Sequence, residues 1–152
     1  VAADRVTLDV RGVLIHEDCD DVEPAHDEHA KRYADEFHGA GYRVHPVLPA
    51  WELEAWWLLW PRALAAYRET WREPTEYRGK HVGKLRDAKQ CLEKAVQPKN
   101  LKTAERKRFR GYQDSDSPGI AALVRERGWL TKPEGRSDSY AHFQHEIAAI
   151  DL

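Results

Sequence analysis

The sequence predicts an α/β fold in a single domain, with its strands early and its helices late. Three observations carry this. A short aliphatic run, Val13-Leu14-Ile15-His16, ends abruptly in the acids Glu17-Asp18-Cys19-Asp20-Asp21. A second run of strand character, Tyr42-Arg43-Val44-His45-Pro46-Val47-Leu48, closes a strand–helix–strand unit of about 35 residues. Beyond Pro49 the apolar spacing is mostly helical.

The first run reads as a buried strand entering an acidic loop. Residues 5–11 before it alternate apolar and polar but also suit a helix end, so that stretch stays open. From Pro24 to about Ala40 the period changes: Ala30, Tyr33, Ala34 and Phe37 recur at i, i+3, i+4 and i+7, one face of a helix. Asp21 suits its N-cap, Pro24 its first turn, and Gly39 and Gly41 its end. The second strand should then lie parallel to the first. After Pro49 a helix is expected over 51–67, with a break near Pro61, then a loop over 74–79. Further helices are expected at 81–95, 101–110, 118–128 and 138–150. Residues 1–70 thus form an α/β core and 71–152 a helical part of one domain. No methionine occurs and the chain begins at Val1, so its natural beginning is expected upstream.

Charge is divided unevenly. Lys+Arg against Asp+Glu stand at 8 and 16 over residues 1–77, at 12 and 3 over 78–110, and at 4 and 7 over 111–152. An acidic first half suits cations, and a basic middle suits phosphates. Two cysteines, Cys19 and Cys91, lack CxxC spacing, which argues against a disulfide framework and fits a cytoplasmic protein. No secretory signal is evident, and the longest apolar run is too short to span a bilayer, so no membrane partner is expected.

Ligands collect beyond the carboxyl ends of parallel strands. Asp18 and Asp20 stand there, at i and i+2, so an extended backbone projects both to one side. Four acids in five residues repel one another unless a cation is present, which makes the pair a candidate Mg²⁺ or Mn²⁺ site. One aspartate would also serve as a plain helix cap, the role best suited to Asp21. Glu52 and Glu54 reach the same edge after the second strand. In extended chain both face the metal; in a helix they lie about 200° apart and only one does. Two roles stay open for each, a metal ligand or a first-turn acid favoured by the helix dipole. The helix carrying Trp51, Trp56, Trp57 and Trp60 suits core packing or a homo-oligomer interface better than base stacking.

The strand Gly12-Val13-Leu14-Ile15-His16-Glu17-Asp18-Cys19-Asp20-Asp21, a helix, a strand and then Leu48-Pro49-Ala50-Trp51-Glu52-Leu53-Glu54-Ala55-Trp56 resembles the Toprim-like proteins of the DUF4276 type. These are relatives of the RloB-like and OLD-family Toprim nucleases of bacterial anti-phage defence loci. Tyr112-Gln113-Asp114-Ser115-Asp116-Ser117 with Ile120-Ala121 resembles the family's C-terminal helical region. The resemblance implies a Toprim-like parallel-sheet core with Asp18 and Asp20 as its DxD metal ligands and Glu52 or Glu54 as a further acid. It also implies a metal-dependent nuclease, with a companion ATPase as a plausible partner. One departure matters: Toprim domains carry a glutamate after their first strand, and no equivalent stands between Val1 and Gly12. That glutamate either lies upstream or is missing.

In the basic stretch, Lys84, Arg106, Lys107, Arg108 and Arg110 are candidates for binding a DNA or RNA backbone, although a solvated helical face would look the same. Lys84 and Lys89 fall some 140° apart on the expected 81–95 helix, so one of them faces the site. Lys89 is taken as the lysine at a scissile phosphate. The histidine pairs His26/His29 and His142/His145 lack HExxH spacing and cysteine company, so zinc has no support. Cys19, between acids, should be a poor nucleophile. Two functions remain open: a metal-dependent endonuclease with Asp18, Asp20, Glu54 and Lys89 as catalytic residues, or a non-catalytic subunit that binds an ATPase or nucleic acid.

Overall fold

A computed structural model describes residues 12–150; the open reading of residues 5–11 and the search for an upstream glutamate lie outside the described residues. Strand β1, Gly12–His16, pairs in parallel with β2, Arg43–Val47, setting Leu14 beside His45 and His16 beside Val47. Helix α1, Ala25–Glu36, crosses between them, so the expected βαβ unit forms. Backbone pairing runs past the strands: Glu17 N donates to Val47 O, Cys19 N to Pro49 O and Asp20 N to Trp51 O, each at 3.1 Å. Both chains then turn together in left-handed conformation, Asp20 at φ +52° and Trp51 at φ +60°. Aspartate tolerates this region, whereas at tryptophan it stores strain of about 1–3 kcal/mol. A 2.7 Å bond from Trp51 N to Asp21 O fastens the turn.

The face expected to bury α1 is only partly covered. Ala30, Tyr33 and Phe37 are half-buried and Ala34 is exposed, while the buried residue is His26. A two-stranded sheet is too narrow to cover the helix along its whole length, and its well-covered end is the one that holds His26.

The tryptophan-rich segment breaks as expected near Pro61, but into short pieces: α2, Glu54–Trp57, and α3, Pro61–Tyr67. Proline has no N–H to continue one helix and suits the first turn of the next. Trp56, Trp57, Trp60 and Trp71 are buried in the chain's own core with Leu58, Leu59, Leu64 and Leu92. Each indole N–H finds an internal acceptor: Ser139 Oγ at 3.1 Å, Ser117 Oγ at 2.9 Å, Trp129 O at 2.9 Å and Arg110 O at 2.8 Å, respectively. Of the two roles expected of Trp56, Trp57 and Trp60, the structure shows core packing, and an oligomer interface through these three does not follow.

The rest is helical, with α4 at Ala88–Val96, α5 at Thr103–Arg106, α6 at Ser117–Glu126 and α7 at Asp138–Ala148. The helix expected over 81–95 does not start at 81. A 3₁₀ turn, Val82–Lys84, and a left-handed Asp87 at φ +50° precede α4. The cause is tertiary: Gly79 N, Val82 N and Arg136 N bond to Glu134 O, Arg136 O and Lys80 O at 2.6–2.8 Å, which ties residues 79–82 to 134–136. Lys84 and Lys89 thus share no helix. Likewise only four residues of the 101–110 stretch are helical. Among the described residues no helix is long and apolar enough to cross a membrane.

Candidate functional site

The acidic loop at the end of β1 sorts its carboxylates by use. Glu17 accepts the Tyr33 hydroxyl at 2.7 Å and pairs with Arg32; the tyrosine hydrogen bond foremost holds it below the usual carboxylate range. Asp21 Oδ1 accepts Val22 N at 2.7 Å and forms a local turn. It does not cap α1, where Pro24 occupies the cap position without a side-chain bond. Asp20 is exposed. Asp18 differs from all of these. Its side chain is 39% exposed and His16 Nε2 stands 3.4 Å from Oδ1, yet Oδ1 itself is buried without a hydrogen-bond partner. Burial, joined by the charge of Asp20, pushes its carboxyl up; His16 and the Leu53 N–H oppose this. Cys19 is raised to about 11 by burial and by the charges of Glu17, Asp18 and Asp20, as its acidic neighbours led one to expect.

Glu52 and Glu54 both have protein partners. Residues 51–53 form a turn, and Glu52 Oε2 accepts the Lys89 backbone N–H at 2.9 Å. It therefore satisfies a free N–H at the start of α4 from outside that helix. Glu54 Oε1 accepts the Tyr112 hydroxyl at 3.1 Å. Burial pushes Glu54 up, Glu52's charge adds to this, and Tyr112 and Lys89 work against it. The Lys89 ammonium lies 2.6 Å from Asp114 Oδ1, so the lysine assigned to a phosphate already has an anionic partner. Asp18, Asp20, Glu52 and Glu54 do not gather three donors within 4.8 Å. Leu53 stands between the two groups, its chain neighbours Glu52 and Glu54 turned toward α4 and Tyr112.

The basic residues separate as well. Lys84 Nζ donates to Glu23 O at 2.6 Å. Arg108 and Arg110, with Arg68, line a groove of about 530 Å³ also bounded by Leu101, Glu105 and Phe109. Buried Asp116 takes Arg68 at 2.8 Å and Arg110 at 3.4 Å, fixing two of the three guanidinium groups on the groove wall. Lys107 is exposed, and the side chain of Arg106, at the end of α5, lies outside the described residues.

Sequence reasoning missed Glu23. It is 1% exposed: Oε1 accepts Ser137 Oγ at 2.6 Å and Ser139 N at 2.8 Å, and Oε2 lies 2.5 Å from His81 Nε2. Burial alone would raise its carboxyl, but these hydrogen bonds outweigh it and hold the group at about 2. The only sequence signal was Gly83, a glycine inside an expected helix, since a Cβ there would overlap the Glu23 carboxylate. The histidines also gather where their spacing gave no sign of it. His26 and His142 meet edge to face with ring centroids 5.9 Å apart.

Comparison with family models, with curated proteins and with solved structures finds no match to this chain.

Proposed function

We propose that the protein is a metal-dependent nuclease of Toprim type, with Mg²⁺ or Mn²⁺ held by Asp18 and Asp20 and a nucleic-acid backbone as substrate. The supporting observation is Asp18 Oδ1, a buried carboxylate oxygen with no hydrogen-bond partner and only His16 Nε2, at 3.4 Å, beside it, just beyond the carboxyl end of a parallel strand. Such an oxygen costs about 1–3 kcal/mol to leave unpaired, more when charged. A hard dication satisfies it and cancels the repulsion from Asp20. Two carboxylates suffice, because Mg²⁺ takes the rest of its shell from water and phosphate oxygens. When bound, the ion supplies charge stabilisation to a phosphodiester and a more acidic water.

The remaining residues have supporting parts in this reading. Glu52 fixes the start of α4. Glu54, its carboxyl raised by burial, is the acid best suited to hold or release a proton. Lys89, held by Asp114, adds positive charge near Glu54. Arg108 and Arg110 in the groove neutralise backbone phosphates without reading sequence. The alternative, a non-catalytic subunit that binds a partner through its tryptophans, loses that surface because they lie in the core.

The test is nicking of supercoiled plasmid in Mg²⁺ or Mn²⁺. Asp18→Asn combined with Asp20→Asn should abolish it, while a folded double variant that still nicks at the wild-type rate refutes the proposal.

A further inference from the structure

We infer that the first turn of α1 and the second turn of α7 form a separate transition-metal site of the Zn²⁺ class, held by His26, Asp27 and His142. One ring nitrogen from each histidine and one carboxylate oxygen of Asp27 lie within 4.8 Å of one another. His26 Nε2 and Asp27 Oδ1 are 3.3 Å apart. That is about the spacing of two donors on a tetrahedral ion whose bonds are roughly 2.0–2.1 Å long. His142 completes the set; its side chain is 31% exposed, meets the His26 ring edge to face and has Nε2 3.8 Å from Glu146 Oε1.

The second observation is His26 itself. It is 3% exposed, and its Nδ1 is buried with no hydrogen-bond partner. His45, equally buried nearby, shows the ordinary solution: its Nδ1 lies 3.0 Å from Glu146 Oε2. The buried ring is thus not held through Nδ1, and Nε2, beside Asp27, is the nitrogen free to take an ion. Coordination there would fix the ring's tautomer, with the proton on Nδ1, and its orientation.

The donor set selects the ion. Imidazoles with one carboxylate suit Zn²⁺ and its neighbours, whereas Mg²⁺ prefers oxygen alone. Glu23 and Asp138 also act on His26 through space, so the surroundings carry the negative charge a dication needs. The adjoining trio of Glu23, His81 and Asp138 is a weaker candidate, because Glu23 is already satisfied by Ser137, Ser139 and His81. Asp27 is 66% exposed at its side chain, so the proposed site opens to water on that side, as catalytic zinc sites do.

The experiment uses the chain carrying Asp18→Asn and Asp20→Asn, so that the strand-end aspartates cannot contribute. After chelator treatment, Zn²⁺ is titrated by calorimetry, and Co²⁺ is added as a spectroscopic probe. A single saturable Zn²⁺ equivalent and the visible bands of four- or five-coordinate Co²⁺ are expected. His142→Ala and Asp27→Asn, each checked for native fold by circular dichroism, should weaken Zn²⁺ binding about tenfold or more. His26→Ala is avoided because that residue is buried. Absence of the Co²⁺ bands, or unchanged Zn²⁺ affinity in a folded His142→Ala variant, overturns the assignment. Because the aspartates are already removed, either result leaves the nuclease proposal untouched.

Discussion

Glu23→Gln removes a fully buried carboxylate whose charge the fold holds with three donors. The side chain is 1% exposed, and Ser137 Oγ, Ser139 N and His81 surround it at 2.5–2.8 Å. Burial opposes its ionisation, but the hydrogen bonds win and bring the carboxyl from 4.5 to about 2. The folded value lies below the unfolded one, so the stabilisation is complete well above pH 4.5 and is lost as pH falls toward 2. That gap corresponds to about 3 kcal/mol at neutral pH, of which less than half remains at pH 3. Glutamine keeps the shape but cannot ionise. Urea denaturation of both chains should therefore show a stability difference that shrinks by about 2 kcal/mol between pH 6.5 and pH 3. Other carboxylates titrate alike in the two chains and cancel in the difference. A difference that stays constant over that range would show that the Glu23 charge is not what the serines and His81 hold.

Two further substitutions probe the packing around these features. Gly83→Ala puts a methyl group into the Glu23 carboxylate and should cost about 1–3 kcal/mol by thermal melting. The penalty should fall in a Glu23→Ala background, and equal penalties in both would separate the two sites. Trp60→Ala empties a core position that is 1% exposed and should cost about 3–5 kcal/mol in urea, with the mass in sedimentation unchanged. Native stability with an altered mass would return Trp60 to an interface role.

The βαβ unit was legible because its signals are local. Val13 to His16, the helical spacing from Ala30 to Phe37, and the run from Arg43 to Val47 each reveal themselves within a few residues. The place of Asp18 and Asp20 at a strand end followed from the same patterns, and so did the raised thiol of Cys19 between its acids. Helix boundaries after Pro49 were less legible, because pairing of residues 79–82 with 134–136 overrode local helical preference. What each polar side chain does could not be read at all. Glu52 was open between a metal ligand and a first-turn acid of its own helix, and its carboxylate accepts an N–H at the start of α4. Lys89 looked free and is paired with Asp114. Glu23 is held by Ser139, 116 residues away, and His26 meets His142 across a similar span. Periodicity tells which face of a segment is apolar, since that depends only on backbone geometry. It carries no information on which distant donor a buried carboxylate or imidazole will meet. That choice is made when α7 packs against β2 and α1, bringing together groups that must then satisfy one another or bind an ion.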